Sequence, residues 1–270
     1  GGIDAASTEV ATLLYRQVAD TVIPVSCPEA AEMSKIFENV YRQVNIALVN
    51  EMARLCDAMG LSVWEVIAAA KSKPYGFNAF YPGPGIGGHC IPLDPYYLTY
   101  KAREYDFHTR FIELAADINA SMPAYVTQRV AETLNHQGRC LNQAKVLILG
   151  IAYKQDVADT RESPALKLIE ILIQKGAQIY YHDAWVKSAP GTRVELTDEV
   201  LGQMDIAIIT TDHSNVDYQN VINKTNLVYD TRGVTIGLSG DNIVRLGETP
   251  AQHLQPGVYH GIIQHIFIGV

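Results

Sequence analysis

The stretch that decides the fold class is Lys145-Val146-Leu147-Ile148-Leu149-Gly150, a short and almost wholly apolar run typical of a strand buried on both faces. After it, a helix is predicted from Pro164 to Lys175, and further apolar strands are predicted over 178–182, 205–210 and 227–230. Strands that alternate with helices in this way indicate a parallel α/β sheet.

Polar residues follow each predicted strand, and ligands of open α/β sheets bind beyond the carboxyl ends of the strands. This half of the chain, residues 139–270, is therefore predicted to bind a nucleotide. The polar residues in question are Tyr153 and Lys154, Asp183, Asp212 and His213, and Asp230 and Arg232.

The residues before the sheet, 27–138, are mainly helical by pattern. Apolar residues recur every three or four positions from Met33 to Met59, with Ser26 as the predicted N-cap, Pro28 in the first turn and Gly60 as the stop.

Further helices are predicted over 64–70 and 94–104, and a second long helix over 111–136 is expected to kink or restart at Pro123. Both long helices have the length to pack against a partner subunit. Residues 1–26 are predicted to hold a short helix over 7–19 and a small strand over 22–25.

The composition of the 270 residues, with 48% hydrophobic residues and a net charge of −8, indicates a globular protein of roughly two domains and argues against nucleic acid or an anionic membrane as a partner. Apolar runs stay well short of the roughly 20 residues that span a bilayer, and no signal peptide opens the chain. The scattered cysteines 27, 56, 90 and 140 form no CxxC pair, so we expect a reducing cytoplasm. Because the chain starts without Met, we expect it to be an excerpt of a longer protein.

A loop rich in glycine and proline, Tyr81-Pro82-Gly83-Pro84-Gly85-Ile86-Gly87-Gly88-His89-Cys90, is predicted to present one cysteine in a narrow, stiff slot. Asp94 follows four residues later. A thiol that can attack, with a base to activate water, can make and then hydrolyse a thioester. The alternative interpretation is a linker with a buried, inert cysteine.

His89 is a candidate base, or it only orients this loop. Metal binding by His89, Cys90 or His182 is not expected, because no second ligand has a suitable spacing. The loop matches GxGxxG over 83–88, but prolines interrupt it and no strand precedes it, so it is not a dinucleotide fingerprint. The turn over 150–154 lacks that fingerprint too, and no complete NAD site is expected in this chain.

Lys35 and Asn39 are four residues apart and share a helix face, with Arg42 nearby. A lysine and a carboxamide in one pocket can hold an oxyanion, although a solvated surface is the simpler interpretation. Asn39, Asn45 and Asn50 are poor helix formers in an apolar helix, and such groups should have buried partners.

The segment over 154–164 carries Asp156, Asp159, Arg161 and Glu162, and Ser163 is its predicted N-cap before the helix. It is either a charged surface loop or an inter-domain hinge in which Arg161 reaches an anionic ligand.

These motifs, in this order, resemble the UDP-glucose/GDP-mannose dehydrogenase superfamily over nearly the whole chain. The form of the cysteine motif is most similar to that of bacterial UDP-N-acetylglucosamine 6-dehydrogenases. The matching segments are Glu32-Met33-Ser34-Lys35 with Asn39, the run from Gly87 to Pro95, Gly150-Ile151-Ala152-Tyr153-Lys154, Asp159-Thr160-Arg161-Glu162-Ser163-Pro164 and Asp230-Thr231-Arg232-Gly233.

The resemblance implies an α/β chain with a central all-α dimerisation domain over 27–138 and a Rossmann-like, parallel UDP-binding domain over 139–270. Residues 1–26 would be the remnant of an N-terminal NAD-binding domain, which the family carries and this chain lacks. A homodimer through the central helices is implied as well.

The resemblance also implies a two-step oxidation of a sugar C6 alcohol to a carboxylate with two NAD, through a thiohemiacetal and a thioester on one cysteine. UDP-glucose and UDP-N-acetylmannosamine are alternative substrates, and a further catalytic glutamate would lie in the missing domain. The implied roles are catalysis for Cys90, Lys35, Asn39 and Asp94, substrate binding for Tyr81, Gly83, Gly85, Gly87, Tyr153, Lys154 and Arg232, and contact with NAD for Arg161.

Two other classes of function stay open at this point. A non-catalytic UDP-sugar-binding or scaffold module would use the long helices only for dimerisation. A cysteine acyltransferase would exchange thioesters without NAD.

Overall fold

A computed structural model describes residues 1–248, so residues 249–270 of the predicted nucleotide-binding domain lie outside the described part. The helices are α1 (Ala5–Tyr15), α2 (Pro28–Met59), α3 (Val63–Lys71), α4 (Cys90–Ala102), α5 (Arg110–His136), α6 (Pro164–Gln174), α7 (Asp198–Gly202) and α8 (Tyr218–Lys224), with a 3-10 turn at Arg103–Tyr105. The strands are β1 (Lys145–Leu149), β2 (Gln178–His182), β3 (Thr192–Arg193), β4 (Ile206–Ile209), β5 (Val228–Asp230) and β6 (Ile243–Arg245).

The six strands form one parallel sheet in the order β3-β2-β1-β4-β5-β6, which confirms the predicted α/β class. The chain crosses from one half of the sheet to the other between β3 and β4. The carboxyl ends of β1 and β4 therefore lie side by side at the point where a ligand-binding crevice forms in sheets of this order. Strands β3 and β6 and helices α7 and α8 are short, and the sequence pattern did not predict them.

The sheet is covered on both faces, which explains the unbroken apolar run of β1. Val146 and Ile148 pack against α5 and α6 on one face, and Leu147 and Leu149 pack against α7 and α8 on the other. Helix α5 therefore packs against both the sheet and α2.

The helical half begins and ends largely as predicted. Pro28 opens α2, and Gly60 ends it in the left-handed conformation at φ 67°. The N-cap position belongs to Cys27, so the prediction of Ser26 was wrong; the Ser26 hydroxyl contacts the Cys27 sulfur instead of a helix amide. Helix α5 runs through Pro123 without a restart, since the residues around the proline are packed in the core.

The predicted strand over 22–25 is absent from the described residues, and the first helix spans Ala5–Tyr15 rather than 7–19. A strand needs a partner for its backbone groups, and this segment has none: Ile23 is 78% exposed.

Part of the apolar pattern of α2 is exposed, although Ala47 is buried and Val40, Val44 and Met52 are partly buried. Met33, Phe37, Leu48 and Leu55 of the predicted stripe are exposed. The buried face carries polar groups instead, namely Asn39, Gln43, Asn50 and Asp57, alongside Ala47, Val49, Ala53 and Cys56. The exposed part of the apolar stripe is therefore available to a partner subunit, whereas the polar face is committed inside the chain.

Within residues 1–248, no helix combines the length and the apolar character needed to cross a membrane.

Replacing Gly150 with alanine should lower the free energy of unfolding by roughly 2–5 kcal/mol. Gly150 follows β1 at φ 90°, and an added Cβ would overlap Thr211. Urea unfolding followed by circular dichroism measures the change. The matched control is Gly138→Ala, because Gly138 also has a positive φ (71°) but nothing lies within 4 Å of an added Cβ. The control should cost about 1 kcal/mol. Equal losses would show that backbone strain, not the contact with Thr211, governs this turn.

Candidate active site

Cys90 is the first residue of α4, and its thiol is exposed. The prediction that Cys90 lies on the irregular loop was therefore wrong, because it begins the helix that follows the loop. The helix predicted to begin at Asp94 begins four residues earlier. Pro92 and Pro95 made this stretch look irregular; Pro92 is in the first turn, where proline is tolerated because the amides have no partner, whereas Pro95 lies inside the helix. The exposure of the thiol excludes the alternative of a buried, inert cysteine. The unpaired amides of a helix start also favour negative charge beside them.

Asn39 and Asp94 are brought together, as expected if they act in one site. The Asn39 Nδ2 donates a hydrogen bond of 2.7 Å to the Asp94 Oδ2, and Asn39 is 2% exposed. Because Asp94 is four residues after Cys90 on α4, its carboxylate and the thiol share one helix face. The same face of α4 thus presents a sulfur and a carboxylate that α2 holds in place.

Lys35 lies one turn before Asn39 on α2, but it is on the solvent side of that pair. Its Nζ is 2.7 Å from the Glu38 Oε2, and 59% of its side chain is exposed. Glu38 also pairs with Arg42. The predicted pocket thus contains a buried amide and, next to it, a cation held by a surface carboxylate.

A row of buried amides ties α2 to its neighbours; we call it the amide seam, and it consists of Asn39, Gln43, Asn50 and Asn119. Asn50, which is fully buried, accepts a hydrogen bond of 2.9 Å from the Gly83 amide and donates one of 3.0 Å to the Asn119 Oδ1. Asn119 on α5 in turn donates to the Gln43 carbonyl at 3.2 Å.

Buried partners are predicted for Asn39, Asn45 and Asn50 of α2. The hydrogen bonds of Asn39 and Asn50 confirm this prediction. Asn45 does not, because its amide donates to the Tyr41 carbonyl at the surface.

The start of the glycine loop meets the sheet. A Cβ added at Gly83 would lie 3.0 Å from the Arg232 Nη1, so this part of the loop packs closely against the arginine. Arg232 is also 3.3 Å from Asp212 through its Nε. Nearby, the Tyr81 ring stacks on Trp64 with centroids 6.2 Å apart. The role of Trp64 beneath Tyr81 was missed, since nothing in the sequence distinguishes it from an ordinary core residue of α3.

The end of the glycine loop packs on the loop that follows β1. A Cβ at Gly87 would lie 2.5 Å from the Tyr153 Cβ, and Gly88 donates its amide to the Arg161 carbonyl at 2.9 Å. Gly85 has φ 136° and packs against Pro164. The two loops thus dock backbone to backbone, and the exposed Lys154 stands beside this contact.

Arg161 ion-pairs with Asp159 at 2.6 Å and leaves 64% of its side chain exposed. The hydrogen bond and the charge of Asp159 raise the pKa of Arg161, and the interaction with Cys90 adds to this effect. A permanent cation therefore stands near the thiol. Ser163 caps α6 by accepting from the Ala165 amide at 3.3 Å, as predicted.

Four successive amides of the turn after β1, from Gly150 to Tyr153, already donate hydrogen bonds within the chain. Asp183 accepts hydrogen bonds from the amides of Ile151 (2.7 Å) and Ala152 (3.1 Å), and its other oxygen accepts from Trp185 and Val186. Burial alone would raise the pKa of Asp183, but these bonds and one from His213 outweigh it, so the pKa lies well below its usual range. In dinucleotide-binding sheets of this strand order, the amides of this turn hold the pyrophosphate.

A cavity of about 520 Å³ lies behind the glycine loop, between α4, α5 and α6. Gly85, Pro92, Tyr96, Pro123 and Lys167 are among its lining residues, whereas Cys90 and Arg232 are not. The candidate site residues Cys90 and Arg232 thus lie outside this cavity. Across residues 1–248, no three His, Cys, Asp or Glu side chains cluster in a way that suits a metal ion.

Two models of one protein family match the chain. The UDP-glucose/GDP-mannose dehydrogenase family, central domain, matches residues 29–121, and the UDP binding domain of the same family matches residues 147–236. The first covers the helices that carry Cys90 and the amide seam. The second covers most of the sheet and includes Arg232.

Curated and solved relatives agree with the family models. A UDP-N-acetyl-D-mannosamine dehydrogenase of Methanococcus maripaludis is 36% identical over 87% of this chain and 55% of its own length. The structure of a UDP-D-ManNAc dehydrogenase from Pyrococcus horikoshii matches with a TM-score of 0.81 and 33% identity over 92% of this chain and 59% of that one. The crystal structure of an NDP-N-acetyl-D-galactosaminuronic acid dehydrogenase from Methanosarcina mazei matches with a TM-score of 0.79 and 30% identity over 94% and 58%. The chain spans about half the length of the curated relatives it matches.

Substitution of Asn50 by alanine should cost about 2–4 kcal/mol of unfolding free energy, because it leaves the Gly83 amide and the Asn119 side chain without their partner. The matched control is Asn45→Ala on the same helix, which should change stability by no more than about 0.5 kcal/mol. Urea titration of both variants checks this. If the two variants unfold at the same urea concentration, the amide seam does not hold the glycine loop.

Proposed function

This chain belongs to the UDP-glucose/GDP-mannose dehydrogenase family, and from that premise we propose that it is the UDP-sugar-binding and cysteine-bearing part of an NAD-dependent nucleotide-sugar 6-dehydrogenase. The observation that carries the proposal is Asp94, which the buried Asn39 of α2 holds by a hydrogen bond on the same face of α4 as the exposed Cys90. A scaffold protein has no need of a thiol and a clamped carboxylate at a helix start.

In the proposed reaction, the C6 alcohol loses two electrons and two protons to become an aldehyde. The Cys90 thiolate then adds to the aldehyde carbon and forms a thiohemiacetal. Loss of a second hydride from this adduct gives a thioester, and water hydrolyses the thioester to the carboxylate and frees the thiol. The cysteine thus keeps the intermediate bound between the two oxidations.

Asn39 and Lys35 stabilise the negative oxygen that develops at C6. Asn39 is already fixed by Asp94, so its amide needs no reorganisation. Lys35 has a flexible stem and an exposed ammonium, and it exchanges its bond to Glu38 for the developing oxyanion. Lys35 is thus paired with Glu38 in the resting state and with the substrate oxygen during the reaction.

Asp94 is the proposed base that directs water to the thioester. One of its oxygens is held by Asn39, and the other is left to accept from water. Its place one turn after Cys90 puts that water on the same face as the acylated sulfur.

The nucleotide half of the substrate is proposed to lie where the glycine loop meets the sheet. Arg232 beside Gly83 would pair with the diphosphate, and Lys154 would add a second positive charge. Tyr81, Gly85, Gly87 and Tyr153 complete the wall, since glycines let the backbone approach the ligand closely.

NAD, when bound, supplies the hydride acceptor for both steps. Arg161 fits a contact with its phosphates, because the guanidinium is exposed and near Cys90. The turn after β1 does not fit the dinucleotide, since Asp183 occupies its amides. We therefore assign most of the NAD site to a domain that the relatives carry beyond the half matched here.

The substrate is proposed to be a UDP-N-acetylhexosamine. The cysteine motif favours UDP-N-acetylglucosamine, whereas the relatives reported above are named for N-acetylmannosamine and N-acetylgalactosaminuronic acid. The enzyme is further proposed to be a homodimer that buries the exposed apolar stripe of α2.

Cys90→Ser should abolish formation of the uronic acid in the full-length enzyme, with a fall in kcat of at least about 10³-fold, as when other enzymes lose a covalent nucleophile. The measurement follows NADH with the UDP-N-acetylhexosamine that the wild type oxidises fastest. Cys140→Ser is the control, because Cys140 is also exposed but lies after α5. Full turnover by the Cys90 variant would remove this thiol from the mechanism.

Arg232→Gln should weaken UDP binding by about 10- to 100-fold, the loss expected for a charged hydrogen bond to phosphate. Isothermal calorimetry with UDP and this chain measures it. The control is Arg139→Gln, since Arg139 pairs with Asp205 near the opposite end of the sheet. Equal affinities of the two variants would place the diphosphate elsewhere.

A further inference from the structure

A chain of three residues, the buried Asp183 and His213 and the exposed Asp156, crosses the carboxyl edge of the sheet, and the proposed mechanism does not use it. The Nε2 of His213 lies 2.9 Å from the Asp183 Oδ2. The Nδ1 of His213 accepts the backbone amide of Asp156 at 3.0 Å. His213 is 1% exposed, and the Trp185 ring lies 4.5 Å from its own ring.

In the neutral ring, the two hydrogen bonds fix the tautomer of His213; the Asp156 Oδ1 also lies 3.6 Å from its Nδ1. A backbone amide can only donate, so Nδ1 must be unprotonated and accept. The proton of the neutral ring therefore sits on Nε2 and is donated to Asp183, which four backbone amides also hold as an anion. Asp183 thus orients the imidazole, and the imidazole holds Asp156.

Asp156 is the middle of the loop that carries the proposed substrate contacts. It adopts φ 57°, a left-handed conformation that needs support, and its carboxylate also accepts the Ser214 amide at 3.0 Å. On one side of it, Tyr153 packs on Gly87 and Gly88. On the other, the Arg161 carbonyl accepts the Gly88 amide. Both contacts with the glycine loop are therefore made by the segment that His213 holds through the Asp156 amide.

We infer that His213 is a positioning residue, which holds the 153–163 loop in the shape that binds the nucleotide through its Nδ1 bond to the Asp156 amide. A histidine that only fills the core would not need this particular nitrogen. The identity of the ligand rests on the proposed function, whereas the role of His213 in holding the loop does not.

Two substitutions separate the two nitrogens of His213. Glutamine can place an amide nitrogen where Nε2 stands, so His213→Gln keeps the donor to Asp183 and loses the acceptor for Asp156. Asparagine can place an oxygen where Nδ1 stands, so His213→Asn keeps the acceptor and loses the donor. Both remove the ring from the core, and His213→Asn also takes a donor from the buried Asp183, so urea unfolding of both variants measures their global destabilisation separately.

The experiment measures amide hydrogen exchange by mass spectrometry, and UDP affinity by calorimetry, on the 270-residue chain. His213→Gln should speed exchange over 153–163 and weaken UDP binding, each by about fivefold to tenfold, the effect of one lost hydrogen bond. His213→Asn should restore both to within about twofold of the wild type.

Wild-type exchange in His213→Gln, or equal loosening by both variants, would overturn the assignment. If the wild type binds no UDP, the proposed function fails, and the exchange pattern still tests His213. Should neither variant fold, the imidazole nitrogen shifts of the wild type decide: a proton on Nδ1 at neutral pH contradicts the inference.

Discussion

The structure depends on hydrogen bonds from buried side-chain amides on the inner face of α2. A buried polar group without a partner costs more than most apolar contacts return, so each amide of this face fixes the position of whatever it bonds. Asn39 fixes α4 through Asp94, and Asn50 fixes the glycine loop through Gly83. Both bonds act at the site itself, so stability and the geometry for chemistry have the same source here.

Close backbone approach is the second constraint. The glycine loop packs closely against two groups, Arg232 at Gly83 and Tyr153 at Gly87, and at Gly87 no room remains for a side chain. Such contacts join the helical half to the sheet at the point where a ligand would touch both. In the sheet, Asp183 accepts the amides of Ile151 and Ala152 in the turn after β1.

The sequence predicted the elements whose apolar residues recur at a regular spacing and the residues whose chemistry is unusual. The strand over 145–149 and the long helices follow from the spacing of apolar residues, and Cys90, Asn39 and Asp94 stood out by residue type. It did not predict which face of α2 is buried, because the apolar residues are divided between the two faces: Ala47 is buried and Phe37 is exposed. The start of α4 was missed because Pro92 is a loop signal in general and a helix residue in a first turn. His213 was recognised only as polar, since its partners are 30 and 57 residues away and distance along the chain hides them.

Helix α5 has one further consequence. Its apolar residues Met122, Val126 and Val130 complete the core beneath the sheet, while Asn119 and Tyr125 bond to α2, the latter through Asp57. Without α5, neither the helical half nor the sheet would have a complete core. The two regions that the family models treat as separate domains are therefore one cooperative unit in this chain, and loosening of either half is felt by the other as a loss of its own stability.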